Sequence, residues 1–147
     1  MILEAEAFAE IVLQNEAAIE EKLFKAVQES MYSNKMRVAP RRLRQIAHEE
    51  ITALRNFLAH PETAQVQERG RQLAEEGFGH RAMVNLTTTL RLAGWEWCVQ
   101  QANVLETITT IEAYTSALME GYMTGFEALL QREQQLTHEA YQRARNQ

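Results

Sequence analysis

The chain has one cysteine, two prolines and six glycines in 147 residues, and each scarcity excludes something. A lone Cys98 rules out an internal disulfide, and within GWEWCVQ it reads as a buried, inert thiol. Proline occurs only at positions 40 and 61, so nothing forbids a helix from Glu106 to Gln147. Long apolar runs are missing too, because charged residues recur every few positions. That leaves no candidate membrane span and no apolar segment of signal-peptide type after Met1, and the expected compartment is the cytoplasm. Period-two alternation flanked by turn signals is absent, which argues against strands.

Motifs of catalysis are equally scarce. There is no glycine-rich phosphate loop, nucleophile elbow or Cys-x-x-Cys pair. His48 lies in HEEIT, which lacks the second histidine that a helical zinc site needs, and Glu49 and Glu50, as sequence neighbours on a helix, point to different faces. No Glu-x-x-His repeat supports a di-iron bundle. His60 beside Pro61 and His138 on the polar tail read as surface residues. The chain is expected to have no catalytic residues, no metal ligands and no enzyme activity.

What is present is helical periodicity. At 46% hydrophobic and 24% charged, the chain has the balance of an ordinary globular domain, and its length fits one core. Ile2 to about Met31 carries Phe8, Ile11, Val12, Asn15, Ile19, Leu23 and Val27 at three- and four-residue steps. SNKMRVA breaks the pattern, and Pro40 suits the first turn of a second helix with Leu43, Ile46, Ala47, Ile51, Leu54, Phe57 and Leu58 inward, ending at His60-Pro61. A third, shorter helix opens at Glu62 or Thr63, carries Val66, Leu73 and Ala74, and stops at Gly77. A fourth runs from about His80 with Met83, Val84, Leu86, Leu90, Ala93, Trp97 and Val99 inward.

After a break near Gln101 to Glu106 comes the longest helix, apolar to about Leu130 and then polar through QREQQLTHEAYQRARNQ. Residues 1–130 therefore read as one helical domain and 131–147 as a polar extension, a linker or a dimer-paired segment. Within the last helix Ile108, Ile111, Thr115, Leu118, Tyr122, Gly125 and Leu129 follow a three-four spacing that permits coiled-coil-like pairing. Gly121 and Gly125, one turn apart, make a flat groove for a close helix crossing, within one chain or across a dimer. Ile111, Leu118, Gly121, Tyr122, Gly125 and Leu129 are the candidate residues for that contact, and a homodimer is the expected state.

Two further readings attach to particular residues. His80, starting the fourth helix, can face a cavity lined by Met83, Trp95 or Trp97, Tyr122 and Phe126, the setting a haem- or small-ligand-binding sensor requires. No cofactor is expected on the leading reading, so haem belongs to this alternative alone. Residues 1–30 hold seven acidic and two basic side chains, whereas Lys35, Arg37, Arg41, Arg42 and Arg44 form a basic cluster. Nucleic-acid affinity comes from many phosphate contacts, and a short cluster in a chain of net charge −5 disfavours it. A helical nucleic-acid-binding regulator is the third reading.

APRRLRQIAHEEITALRNFLAHPE, RGRQLAEEGFGHRAMVNLTTTLRLAGWEW and YMTGFEALLQREQQLTHEAYQRARNQ together resemble the amino-terminal domain of stressosome RsbR-type bacterial sensor proteins. Gly70-Arg71, Leu73-Ala74, Gly77, Arg91 and Gly125-Phe126 carry the likeness, which spans the chain from about residue 40. The resemblance implies a globin-like fold without haem, a dimer, and a last helix connected to a carboxy-terminal regulatory domain, commonly of the STAS type. The implied function is sensory or regulatory, in bacterial stress signalling. No STAS-like pattern follows in this sequence, so the output domain or partner is left open.

Overall fold

A computed structural model describes residues 9–30, 38–99 and 104–147. Among them lie five helices, α1 (Glu16–Glu29), α2 (Pro40–Ala59), α3 (Thr63–Glu75), α4 (His80–Cys98) and α5 (Val104–Arg145). Residues 9–14 are helical as well and meet α1 at Asn15, whose side-chain amide donates to the Ile11 carbonyl at 2.8 Å. The result is an all-α bundle with a long C-terminal helix, an arrangement consistent with the expected globin-like one. The part of the first expected helix before residue 9 lies outside the described residues, as do Lys35 and Arg37.

Local chemistry sets the boundaries. All 20 acidic residues are glutamate, a better helix former than aspartate, and none of α1 to α4 has a side-chain N-cap hydrogen bond. Their starts depend instead on Pro40 at the head of α2 and on extended residues before α2, α3 and α4. The end of α3 is a Schellman turn. Gly77 takes φ 90°, its N–H donates to Ala74 and that of Phe78 to Leu73, and buried Phe78 covers the turn.

Neighbouring helices are placed by cross-links. Glu20 and Glu21 of α1 reach His48 and Arg44 of α2 while Glu16 reaches Arg55, so α1 and α2 run antiparallel. Asn85 donates to the Ala26 carbonyl at 3.2 Å and Lys22 reaches Glu96, which sets α4 antiparallel to α1. Arg91 grips Glu112 with two 3.0 Å bonds and Gly94 admits Ile111, which makes α4 and α5 an antiparallel hairpin. The core between them includes Leu23, Leu43, Ile46, Met83, Leu86 and Leu118, all fully or almost fully buried.

The closest approach is between α3 and α5. Gly121 lies against the backbone of Gln67, Gly70 against that of Leu118 and Tyr122, and Gly125 against Arg71 and Ala74. Rising positions on one helix match rising positions on the other, so the two run parallel. A β-carbon at Gly121 would run into the Gln67 carbonyl, and one at Gly70 into the Leu118 carbonyl. One at Gly94 would meet the Ile111 side chain, its Cδ1 end first, and no backbone.

Two side chains expected inward on α4 are not. Val84 is 52% exposed and Val99 82% exposed, because the inward arc is filled by Met83, Leu86, Leu90, Ala93 and Trp97. Asn15 also faces out, on the exposed side of its turn.

Gly121→Ala and Gly70→Ala are each expected to cost about 2–3 kcal/mol by overpacking, despite the ~1 kcal/mol that alanine gains over glycine in a helix. Gly94→Ala should cost under ~1 kcal/mol, since a side-chain end yields more readily than a carbonyl. Urea midpoints at constant slope measure all three, and a Gly121→Ala protein as stable as the parent would contradict the crossing.

Candidate functional site

Glu50 breaks the apolar stripe of α2. It stands one turn from Ile46 and Leu54 and is fully buried, an expensive place for a carboxylate without partners. Three elements supply them. Arg69 of α3 donates through Nε at 2.8 Å, and the Tyr114 hydroxyl of α5, itself fully buried, donates to the second oxygen. Arg69 also donates to the Ile46 carbonyl at 3.3 Å and to Glu49 at 3.4 Å.

The chain of charges continues outward. Glu49 accepts from Arg42 at 2.8 Å, and Arg42 closes a two-point pair with Glu76 at 2.8 and 2.6 Å. Two arginines, three glutamates and a tyrosine thus join α2, α3, the turn after α3 and α5 in one connected network. Among the described residues no buried side-chain nitrogen or oxygen lacks a hydrogen-bond partner.

Electrostatics follow from burial and pairing. Tyr114 holds its proton well above the usual phenol range, first because it is buried and then because of the Glu50 carboxylate. Burial acts to weaken protonation of Arg69, but Glu50 and the other neighbouring groups overcome it and raise its pKa. The Arg42 hydrogen bond lowers the Glu76 carboxyl. Burial alone pushes Tyr122 up to about 12, and its hydroxyl donates to the Phe78 carbonyl at 2.5 Å. A network so fully self-paired fixes α5 against α2 and α3.

The residues expected around His80 separate. His80, at the exposed start of α4, packs edge-on against Phe126 at 4.1 Å and Tyr122 at 5.6 Å between ring centres. These rings border a surface groove of about 300 Å³ that also includes Leu129, Leu130 and Glu133. Met83 is fully buried in the core and Trp97 is nearly so. Trp97 lies seventeen residues beyond His80 on the same helix, a rise of about 25 Å. Trp95 is 54% exposed. Neither tryptophan can line the face of a porphyrin bound through His80, since Trp95 and Trp97 lie about 22 and 25 Å farther along α4.

Ile111, Leu118, Gly121, Tyr122 and Gly125 are buried against the chain's own helices, so they serve an internal crossing, whereas Leu129 is half-buried at the surface groove beside His80. Two members of the basic cluster are engaged, Arg42 by Glu49 and Glu76, and Arg44 by Glu21 and by the Phe24 ring 4.0 Å away. Among the described residues no group of three or more histidine, cysteine or acidic side chains could hold a metal ion, and no helix is long and apolar enough to cross a membrane.

The Glu50 network escaped the sequence reading, although its signal was there, a charge one turn from Ile46 and Leu54 in an otherwise apolar stripe. Tyr114 gave no such signal. The last helix, by contrast, is built as expected. Its 42 residues are core from Ile111 to Gly125, and every residue from 131 onward is exposed. No family model, curated protein or solved structure matches the chain.

Glu50→Ala should cost about 3–5 kcal/mol, because it leaves the Arg69 guanidinium without its buried partner. Tyr114→Phe should cost about 1.5–3 kcal/mol, the worth of a hydrogen bond to a charged group, and a double-mutant cycle should show the two strongly coupled. The folded chain keeps the Tyr114 proton that the unfolded chain releases near pH 10, so stability falls as pH rises above about 10. Tyr114→Phe should flatten that fall. Additive costs and an unchanged alkaline limb in urea titrations would refute the network.

Proposed function

We propose that this chain is a non-enzymatic regulatory domain that self-associates and passes a conformational signal through α5 to an output domain or partner protein. The observation that carries this reading is the division of α5. Its first half is bound into the core by the α3 crossing and by Tyr114, and its last turns project with no core of their own. Helices in proteins draw most of their stability from packing an apolar face, and the projecting turns pack against nothing of their own chain, so a partner along their length suits them. Any repacking of α2 or α3 moves α5 as a rod, which makes it a suitable two-state element.

The resemblance to the stressosome sensor domains supports the same reading and supplies its setting, bacterial stress signalling in the cytoplasm. A coupling of about 1–3 kcal/mol between a sensing event and the projecting helix suffices for regulation. Neither haem nor nucleic acid is favoured by a structural observation, given the distance of Trp97 from His80 along α4 and the internal pairing of Arg42 and Arg44.

Buried Cys98 permits a direct test. In a Cys98→Ala background, spin labels at Thr137→Cys should report two α5 tails a short, defined distance apart. Adding Tyr114→Phe should shift or broaden that distance. An unpaired label, or a distance indifferent to Tyr114, would count against transmission through this helix.

A further inference from the structure

A groove of about 590 Å³ runs along the α3–α5 crossing, walled by Ala64 and Gln67 of α3 and by Glu120, Met123, Thr124 and Glu127 of α5. All four α5 residues are exposed, Met123 to 55%. Gln67 donates to Glu120 at 3.1 Å, a neutral partner that leaves the carboxylate charge uncompensated. Arg71 also borders the groove but is taken by Glu68 and Glu75. Among the described residues neither Glu120 nor Glu127 makes an ion pair.

The face of α5 that borders this groove continues into the projecting turns. Glu120, Thr124 and Glu127 fall on alternating steps of four and three that pass through Gln131 and Gln134 to His138, Tyr141 and Arg145. All eight positions lie within an arc of about 100°. The other charged residues of the tail, Arg132, Glu133, Glu139 and Arg143, fall on other faces, more than about 100° from the middle of this one. One face of one helix therefore carries two carboxylates at the groove and a histidine and an arginine in the projecting turns. Arg145 makes no ion pair within the chain, and Tyr141 is 64% exposed.

We propose that the groove receives the C-terminal turns of α5 from a second copy of this chain, with the two helices antiparallel. The inference rests on the self-association proposed above and assigns it a surface and a direction. With a two-fold axis midway between positions 131 and 134, Glu120 faces Arg145 of the second copy and Glu127 faces its His138. Thr124 then faces its Tyr141, whose ring comes beside the exposed Met123 thioether, a favourable sulfur–aromatic contact. Each of these pairs occurs twice, because the contact is isologous. Charge complementarity decides the direction. In a parallel pair every position on this face meets itself, Glu120 against Glu120 and Arg145 against Arg145, and like charges so opposed work against association. The antiparallel register sets each charged position opposite a complementary one.

The test combines light scattering and far-ultraviolet circular dichroism on the full chain. The parent is expected to be a dimer. Glu120→Arg and Arg145→Glu should each keep helicity, since both positions are exposed, and self-associate at least tenfold more weakly. The two changes combined should restore most of the affinity. Mild oxidation in a Cys98→Ala background reads the direction. A chain with both Thr124→Cys and Tyr141→Cys should form a covalent dimer, whereas neither single variant should. Within one chain these positions are about 25 Å apart along the helix and cannot bond to each other. Cross-linking of the single variants, no cross-linking of the double one, or a charge exchange that restores nothing overturns the antiparallel groove and leaves self-association standing. A parent that is monomeric at hundreds of micromolar overturns both. Should a charge reversal cost helicity, the oxidation result decides.

Discussion

α3 and α5 touch backbone to backbone, and most of what distinguishes this bundle depends on that approach. Gly121 gives Gln67 room, and Gly70 does the same for Leu118 and Tyr122. Ordinary helix pairs are separated by interdigitated side chains at 8–10 Å, and such a pair has some freedom to slide or rotate. Here main-chain atoms form the contact, so a small relative movement meets a carbonyl at once. The short α3 is in effect a splint along the middle of α5, and the Schellman turn at Gly77 leads the chain from the end of that splint into α4.

The Glu50 network acts on the same pair from the other side. Arg69 lies next to Gly70, so the residue that reaches Glu50 is carried by the turn of α3 that enters the crossing. Tyr114 lies one turn before Leu118 on α5 and reaches the same carboxylate. A buried ion pair of this kind adds little net stability over an apolar substitute of the same shape, because desolvation offsets most of the attraction. Its effect is directional. Glu50 is satisfied only when α2, α3 and α5 are all in register.

Much of this was legible in the sequence, and the failures have physical causes. Helix positions followed from Pro40, Pro61 and Gly77 and from three-four spacing, since these act through the local backbone. α5 begins at Val104, close to the expected Glu106, and its change from core to exposed tail near Leu130 is where the apolar stripe fades. Spacing could not say which helix covers which face. Gly121 and Gly125 imply a close crossing within one chain or across a dimer, and the helix that lies against them is α3, with Gly70 in the contact. Val84 and Val99 were placed inward by hydrophobicity, although a helix of this diameter has room inside for only one arc. His80 and Trp97 were grouped although the rise along one helix separates them, a conflict that the sequence itself contains. The partnership of Glu50 and Tyr114 is a tertiary contact across 64 positions with no local signature.

On the proposed reading α5 has two kinds of partner, its own chain as far as the Phe126 contact with His80 and a second copy along the projecting turns. Amide hydrogen exchange along α5 at low and high protein concentration tests this most directly. The account predicts slow exchange from Ile111 to Gly125 at both concentrations, since that protection is intramolecular, and protection of residues 126–145 that rises with concentration. Uniform protection along the whole helix, or a tail whose exchange is the same at both concentrations, would contradict it.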